Sequence, residues 1–253
     1  MPRYTGNLAL LILILAPFSS ASIYAQSVRT EISTDLCLKK ISENVWIHES
    51  TIEIPQWGKV SANGLAILGE EELFLVDTPW NERQTAYLVK WFQTNFTVRD
   101  VHVIVSHFHQ DNMGGLGWIQ SRGFSSYGLK KTREICLVKG LPVPETALAE
   151  SHIFSLGERT IQIFFPGPGH TEDSLAVWLP DEKILFGGCS VKALSNRTVG
   201  NTADSDIDRW PVSLKNLKST FADAVIVVPG HGEEGDLSLI DHTIELISNI
   251  KYQ

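Results

Sequence analysis

Three stretches of this chain carry the side chains that metal chemistry uses. His107, His109 and Asp111 alternate at two-residue spacing just past the apolar run Val101 to Val105. Two more histidines sit in glycine-rich strings, Gly169-His170 and Gly230-His231-Gly232, and Cys189 follows the pair Gly187-Gly188. In a loop leaving a sheet edge, two-residue spacing can bring imidazole nitrogens and a carboxylate to one side, where a divalent cation needs them. His170 and His231 lie in glycine loops unsuited to burying a ring, so they read as ligands. His48, His102, His152 and His242 fall inside predicted strands or helices and read as packing or surface residues.

Ligand softness narrows the ion. Imidazole with thiolate and carboxylate points mainly to Zn²⁺. Three histidines and one open position make the pattern of a catalytic zinc, here His107, His109 and His170. Asp111, Cys189 and His231 can supply a second site. Two ions roughly 3.5–4 Å apart would let one generate hydroxide while both polarise the substrate.

The elements that must position these residues follow from the hydrophobic pattern. Strands are predicted at Leu36 to Ile41 and Val45 to Glu49, turning at Ser42-Glu43-Asn44, and at Gly64 to Leu68 and Leu73 to Asp77. Thr51 to Ser61, with Pro55, Trp57 and Gly58, reads as a loop or flap. Asn81 caps a predicted helix to about Thr94, because Leu88, Trp91 and Phe92 share a face at helical spacing. Val101 to Val105 reads as a strand buried on both faces. Helices are expected at Gly115 to Arg122 and Thr132 to Lys139, around a short strand at Phe124 to Tyr127. Strands then recur at Ser151 to Phe154, Thr160 to Phe165, Leu175 to Leu179, Ile184 to Phe186 and Ala224 to Val228, with helices at Asp206 to Thr220 and Leu237 to Ile250. No linker divides the chain, so these elements fit one layered α/β domain.

The 253 residues carry 21 Lys+Arg against 29 Asp+Glu, a net charge of -8 that disfavours nucleic acid as a partner. The first 25 residues have a basic start at Arg3, an apolar run from Leu8 to Phe18 and small residues ending at Ala25. That is the pattern of a cleaved signal peptide, with cleavage after Ala25 or Ala21, and the run is too short to span a bilayer comfortably. No stable membrane anchor is expected. Export would place the mature chain in an oxidising compartment, yet the three cysteines, Cys37, Cys136 and Cys189, cannot all pair. Cys136 lies in an apolar context and reads as a buried inert thiol.

His107-Phe108-His109-Gln110-Asp111, followed by Gly114-Gly115, His170, Cys189 and His231, resembles the metallo-β-lactamase superfamily over most of the mature chain. In that superfamily, thiolesterases and phosphodiesterases usually place a histidine directly after the aspartate, where this chain has Asn112. They also tend to carry a bridging aspartate in place of Cys189. The cysteine with His107 retained is similar to the first subclass of class B β-lactamases. The second subclass has Asn at the first histidine, and the third lacks the cysteine. Asp77-Thr78-Pro79-Trp80, Gly187-Gly188-Cys189-Ser190-Val191-Lys192 and Gly200-Asn201 also resemble that first subclass.

The resemblance implies a four-layer αββα sandwich in a single domain, residues 26–253, after a signal peptide at 1–25. It implies two Zn²⁺ per chain and hydrolysis of the lactam ring of penicillins, cephalosporins and carbapenems by metal-generated hydroxide, giving antibiotic resistance. Lys192 matches a lysine that binds the substrate carboxylate, and Asn201 an asparagine near the opening carbonyl. Asp111 both ligates the second metal and orients the nucleophile. Trp57 lies where such enzymes carry a mobile hairpin over the substrate, and Asp77 matches a buried supporting residue. A periplasmic monomer acting on a small molecule is expected. Two alternatives remain open at this stage: another hydrolase of the same fold, such as a thiolesterase, and a non-catalytic exported zinc-binding protein.

Overall fold

Three separate buried clusters show how the layers stack. The computed structural model describes residues 29–251, so the expected leader at 1–25 lies outside the described residues. The first sheet holds β1 (Arg29–Ser33), β2 (Leu36–Ser42), β3 (Val45–Ile54), β4 (Gly58–Leu68), β5 (Glu72–Val76), β6 (Asp100–Ile104), β7 (Ser125–Leu129) and β8 (Thr146–Leu148), in chain order. The second holds β9 (Ser151–Leu156), β10 (Arg159–Phe164), β11 (Ala176–Leu179), β12 (Ile184–Gly188) and β13 (Ile226–Pro229), in the order β13-β12-β11-β10-β9.

Side chains alternate across a strand, so one strand can feed two interfaces. Leu73 and Leu75 of β5 join a cluster with Leu88 and Phe92 of α1 (Glu82–Asn95) and with Leu116 and Ile119 of α3 (Leu116–Ser121). Phe74 and Val76 of the same strand point the other way, onto Ile161, Ile163, Val177 and Phe186 of the second sheet. Trp178, Leu185 and Val227 then face α5 (Trp210–Thr220) and α6 (Ser238–Lys251) through Trp210, Leu214, Ile240 and Ile247. Three interfaces make four layers, α, β, β, α, in one domain, as the resemblance implied. Among the described residues, no helix is long and apolar enough to cross a membrane.

Several elements differ from the sequence reading. Thr51 to Ser61 is not a loop: β3 and β4 run on as a paired ladder to Ile54↔Gly58, leaving a turn at 55–57 with Trp57 at its tip. This arm projects beyond the sheet's packed part, so its outer residues lack the alternation that marks a half-buried strand. The four-residue α2 (Gln110–Met113) and the short strands β1 and β8 carry too little pattern to be read. The helix expected from Asp206 begins at Trp210, with Asp206 Oδ1 instead accepting from the Arg209 amide. Helix α4 (Lys130–Lys139) begins two residues ahead of the expectation and ends at Gly140 in the left-handed conformation.

The parallel pairs β5–β6 and β12–β13 both end at the same edge of the sandwich, and the chemistry-bearing loops leave from those ends. Phe186, fully buried between the sheets, supports the strand that delivers Cys189. Phe186→Ala should therefore cost about 3–5 kcal/mol by leaving a cavity. Urea titration is expected to show a lower midpoint with an unchanged slope, and an unchanged midpoint would remove Phe186 from the core.

Candidate metal centre

Each ligand candidate leaves a defined strand end. Beyond β6, Ser106 to His109 reach the edge, and the short helix α2 carries Asp111. His170 comes from the connection between β10 and β11, Cys189 directly follows β12, and His231 lies two residues past β13. The structure brings all six into two groups, His107 with His109 and His170, and Asp111 with Cys189 and His231, each with ligand atoms within 4.8 Å of one another. His107 Nε2 lies 3.1 Å from His109 Nδ1. Cys189 Sγ lies 3.4 Å from both Asp111 Oδ2 and His231 Nε2, and His231 Nε2 is 3.2 Å from that carboxylate oxygen.

The outer partners determine what those atoms offer. Asp77, in the left-handed region at φ 64, accepts from the Ser106 amide (2.6 Å), Ser106 Oγ (2.7 Å) and Asn112 Nδ2 (2.6 Å). With its proton given to Asp77, Ser106 Oγ accepts from His107 Nδ1 at 3.1 Å, which leaves a lone pair on His107 Nε2. His109 Nε2 donates to Asp204 Oδ2 at 3.0 Å, leaving a lone pair on Nδ1. His231 Nδ1 donates to the Ser61 carbonyl at 2.5 Å, leaving a lone pair on Nε2.

In each group, therefore, one pair of acceptors meets at hydrogen-bond distance, His107 Nε2 with His109 Nδ1 and His231 Nε2 with Asp111 Oδ2. A cation between them satisfies every one, so the residues present fit two metal ions. Burial reinforces this at the two most enclosed rings by disfavouring their charged forms. It pushes His107 down to about 3 and His170 well below the usual histidine range. Burial by itself disfavours the Asp111 carboxylate; positive charge at the His231 and His107 contacts is what holds it well below the usual carboxylate range, and with those rings neutral a bound cation takes that part. Burial and the neighbouring Asp111 push the Cys189 thiol well up, so only a cation would favour its thiolate.

The same edge opens into a cavity of about 640 Å³ lined by Trp57, Trp80, Lys192 and Asn201 around His109, Asp111, His170 and His231. Trp57 is exposed at the hairpin tip. Lys192 is buried rather than solvated, with its ammonium 5.5 Å from the Trp210 ring centroid. Burial lowers its basicity, partly offset by Cys189 and Asp111. Asn201 is exposed, its Oδ1 accepting from the Ala203 amide at 3.0 Å in an Asx turn.

Profile comparison supplies the family. The Metallo-beta-lactamase superfamily profile matches residues 57–231. The chain belongs to this superfamily. It is 38% identical over 237 residues to the Metallo-beta-lactamase type 2 of Bacteroides fragilis, covering 94% of each chain. The enzyme of the same name from Pseudomonas aeruginosa is 38% identical over 212 residues, 83% of this chain and 84% of that one. Among solved structures, VMB-1 superimposes with a TM-score of 0.82 at 36% identity, covering 87% of this chain and 99% of that one. The metallo-β-lactamase from Pontibacter korlensis gives 0.80 at 36% identity, covering 85% and 99%.

Four contributors to the site have no motif in the sequence. They are the Ser61 carbonyl, Asp204, Trp210 and Asn63, whose Nδ2 donates to Pro229 O (3.0 Å) and Gly232 O (2.7 Å) on either side of His231. Each acts through a contact distant in sequence or through a backbone atom, which composition and spacing do not display. The three cysteines are all free and buried, and burial pushes the Cys136 thiol up to about 11, consistent with an inert thiol.

Asp204 orients His109 from outside the ligand set, and partners of this kind typically alter metal affinity 10–100-fold. Asp204→Ala should weaken the first metal equivalent by roughly that factor while sparing the second. Competition titration with a chromophoric chelator measures both, and an unchanged first equivalent would mean that His109 needs no outer acceptor.

Proposed function

We propose that this chain is an exported, zinc-dependent β-lactamase that hydrolyses the ring amide of penicillins, cephalosporins and carbapenems and so confers antibiotic resistance. The observation that carries the reading is the pairing of the His107–His109–His170 and Asp111–Cys189–His231 groups, which open through His109, His170, Asp111 and His231 into one cavity beside a buried lysine. Asn112 favours a lactamase over a thiolesterase of the same fold, because it stands where such thiolesterases carry a histidine ligand and its Nδ2 is instead held by Asp77. The proposed leader is 1–25, the catalytic domain 26–253 and the working compartment the periplasm. We take the chain to act as a monomer.

Two zinc ions, when bound, supply a water acidic enough to ionise near neutral pH and positive charge beside the lactam carbonyl. The chain does the rest. Lys192 presents a point charge at the cavity wall, suited to the carboxylate that bicyclic β-lactams carry. Its position is secured twice, by the Trp210 ring beneath the ammonium and by its own amide, which donates to Thr243 Oγ1 of α6 at 2.8 Å. Trp210 is itself anchored, with Nε1 donating to the Ser190 carbonyl at 2.9 Å. Asn201 offers its side-chain amide where the lactam oxygen gains charge, in the manner of an oxyanion donor. Asp111 accepts a hydrogen bond from the attacking water and orients it. Trp57 and Trp80 supply aromatic surface that displaces bulk water from the bound ring system.

Chelation should abolish turnover of a carbapenem and a cephalosporin, and added Zn²⁺ should restore it. Full turnover in a verified metal-free sample, or turnover of a thioester panel in place of lactams, would contradict the reading. Lys192→Ala should raise KM for carboxylate-bearing lactams on the order of tenfold or more, the worth of a hydrogen bond to a charged group. Steady-state kinetics beside a zinc titration checks this, and wild-type KM with zinc retained would leave the metals as the only carboxylate anchor.

A further inference from the structure

The loop that carries His231 belongs to the second sheet but is held largely by the first. It leaves β13 at Pro229 and rejoins the strand where Gly235 bridges Val227. From the first sheet, Ser61 O receives the His231 ring proton, and Asn63 holds Pro229, Gly230 and Gly232 through its side chain and its amide. A third tie comes from β2: Lys39 Nζ donates to Glu233 Oε2 and Glu234 Oε2, at 2.7 Å each.

We propose that Lys39 is a positioning residue for the second metal. By gripping the two glutamates just past His231, it sets where Nε2 points and thereby the affinity of the Asp111–Cys189–His231 group for its ion. The inference rests on the reading of that group as a metal site.

Between His231 and the glutamates stands Gly232, in the left-handed region at φ +83. A Cβ there would come 2.8 Å from Ala193 Cβ, so a stiffer residue cannot replace this joint. Upstream, a Cβ on Gly230 would lie 2.4 Å from Cys189 Sγ, so the loop packs directly on the other ligand and small shifts reach both. Metal–ligand distances hold to within about 0.2 Å of their preferred values, so a ligand carried beside a glycine joint needs the chain held on both sides of that joint. Asn63 restrains the joint at Gly232 O, and Lys39 restrains the chain beyond it.

The two arms of the clamp are unequal. The Lys39 and Glu234 side chains are 18% and 21% exposed, whereas Glu233 is 71% exposed, where an ion pair contributes little. Glu234 therefore carries most of the restraint.

The test titrates metal-free protein with Co²⁺, reading the Cys189 thiolate-to-cobalt charge-transfer band for the second site and the ligand-field bands for the first. Lys39→Met should weaken the second equivalent roughly tenfold, at the low end for outer partners, and leave the first within about twofold. Glu234→Gln should reproduce most of that loss, Glu233→Gln little of it, and Lys39→Arg should recover it. Thermal melting of the metal-free variants separates folding from binding, and Glu234→Gln serves if Lys39→Met fails to fold. Equal loss at both equivalents, or wild-type affinity in both Lys39→Met and Glu234→Gln, would overturn the proposal. Wild-type protein without a thiolate band would overturn the metal site itself, and the proposal with it.

Discussion

Acceptor facing acceptor is the constraint on which this molecule is built. His107 Nε2 and His109 Nδ1 sit 3.1 Å apart, and His231 Nε2 sits 3.2 Å from Asp111 Oδ2, each with its lone pair turned inward. Such contacts are unfavourable unless positive charge lies between them. The inward lone pairs exist because the other ring nitrogens are committed: to Ser106, to Asp204 and to the Ser61 carbonyl. The ligand set is thus half of the design, and the ring of outer acceptors is the other half.

The fold supplies those outer acceptors by bringing two sheets together at one edge. Ligands and supports cross the interface in both directions: His231 from the second sheet rests on Ser61 and Asn63 of the first, and Leu175 after the His170 loop donates its amide to the Ser106 carbonyl. The sheet-to-sheet core, with Phe74, Val76, Ile161, Val177 and Phe186 interdigitated, sets the separation at which those contacts can form. Asp77 shows the local cost. It adopts a conformation uncommon for a side-chain-bearing residue, and burial pushes its pKa up to about 7, yet it receives three hydrogen bonds that fix the Ser106–His107 step.

The six ligand candidates were legible because their residue types and spacing are a chemical statement that packing does not make. Alternating His-x-His-x-Asp after an apolar strand, and histidines among glycines, have few structural uses. The main sheets were legible for the same kind of reason, since Leu73 to Val76 and Ile184 to Phe186 are continuously apolar. What stayed hidden depends on distance or on geometry. Asn63 and Asp204 look like ordinary polar residues until a loop 166 and 95 positions away, respectively, comes to meet them. The β3–β4 arm looks like a loop or flap in the sequence because Pro55, Trp57 and Gly58 interrupt its pattern, while ladder hydrogen bonds, which leave no trace in hydropathy, carry it to the turn.

The central claim, that outer partners preset the tautomers so that lone pairs converge, is open to direct observation. Long-range ¹⁵N–¹H correlation spectra of ring-labelled protein, recorded as zinc is titrated in, report which nitrogen of each histidine carries the proton. The account predicts protons on His107 Nδ1, His109 Nε2 and His231 Nδ1, with the metal shift on the opposite nitrogen of each ring. A proton on His107 Nε2, His109 Nδ1 or His231 Nε2 in the zinc-loaded protein would contradict it.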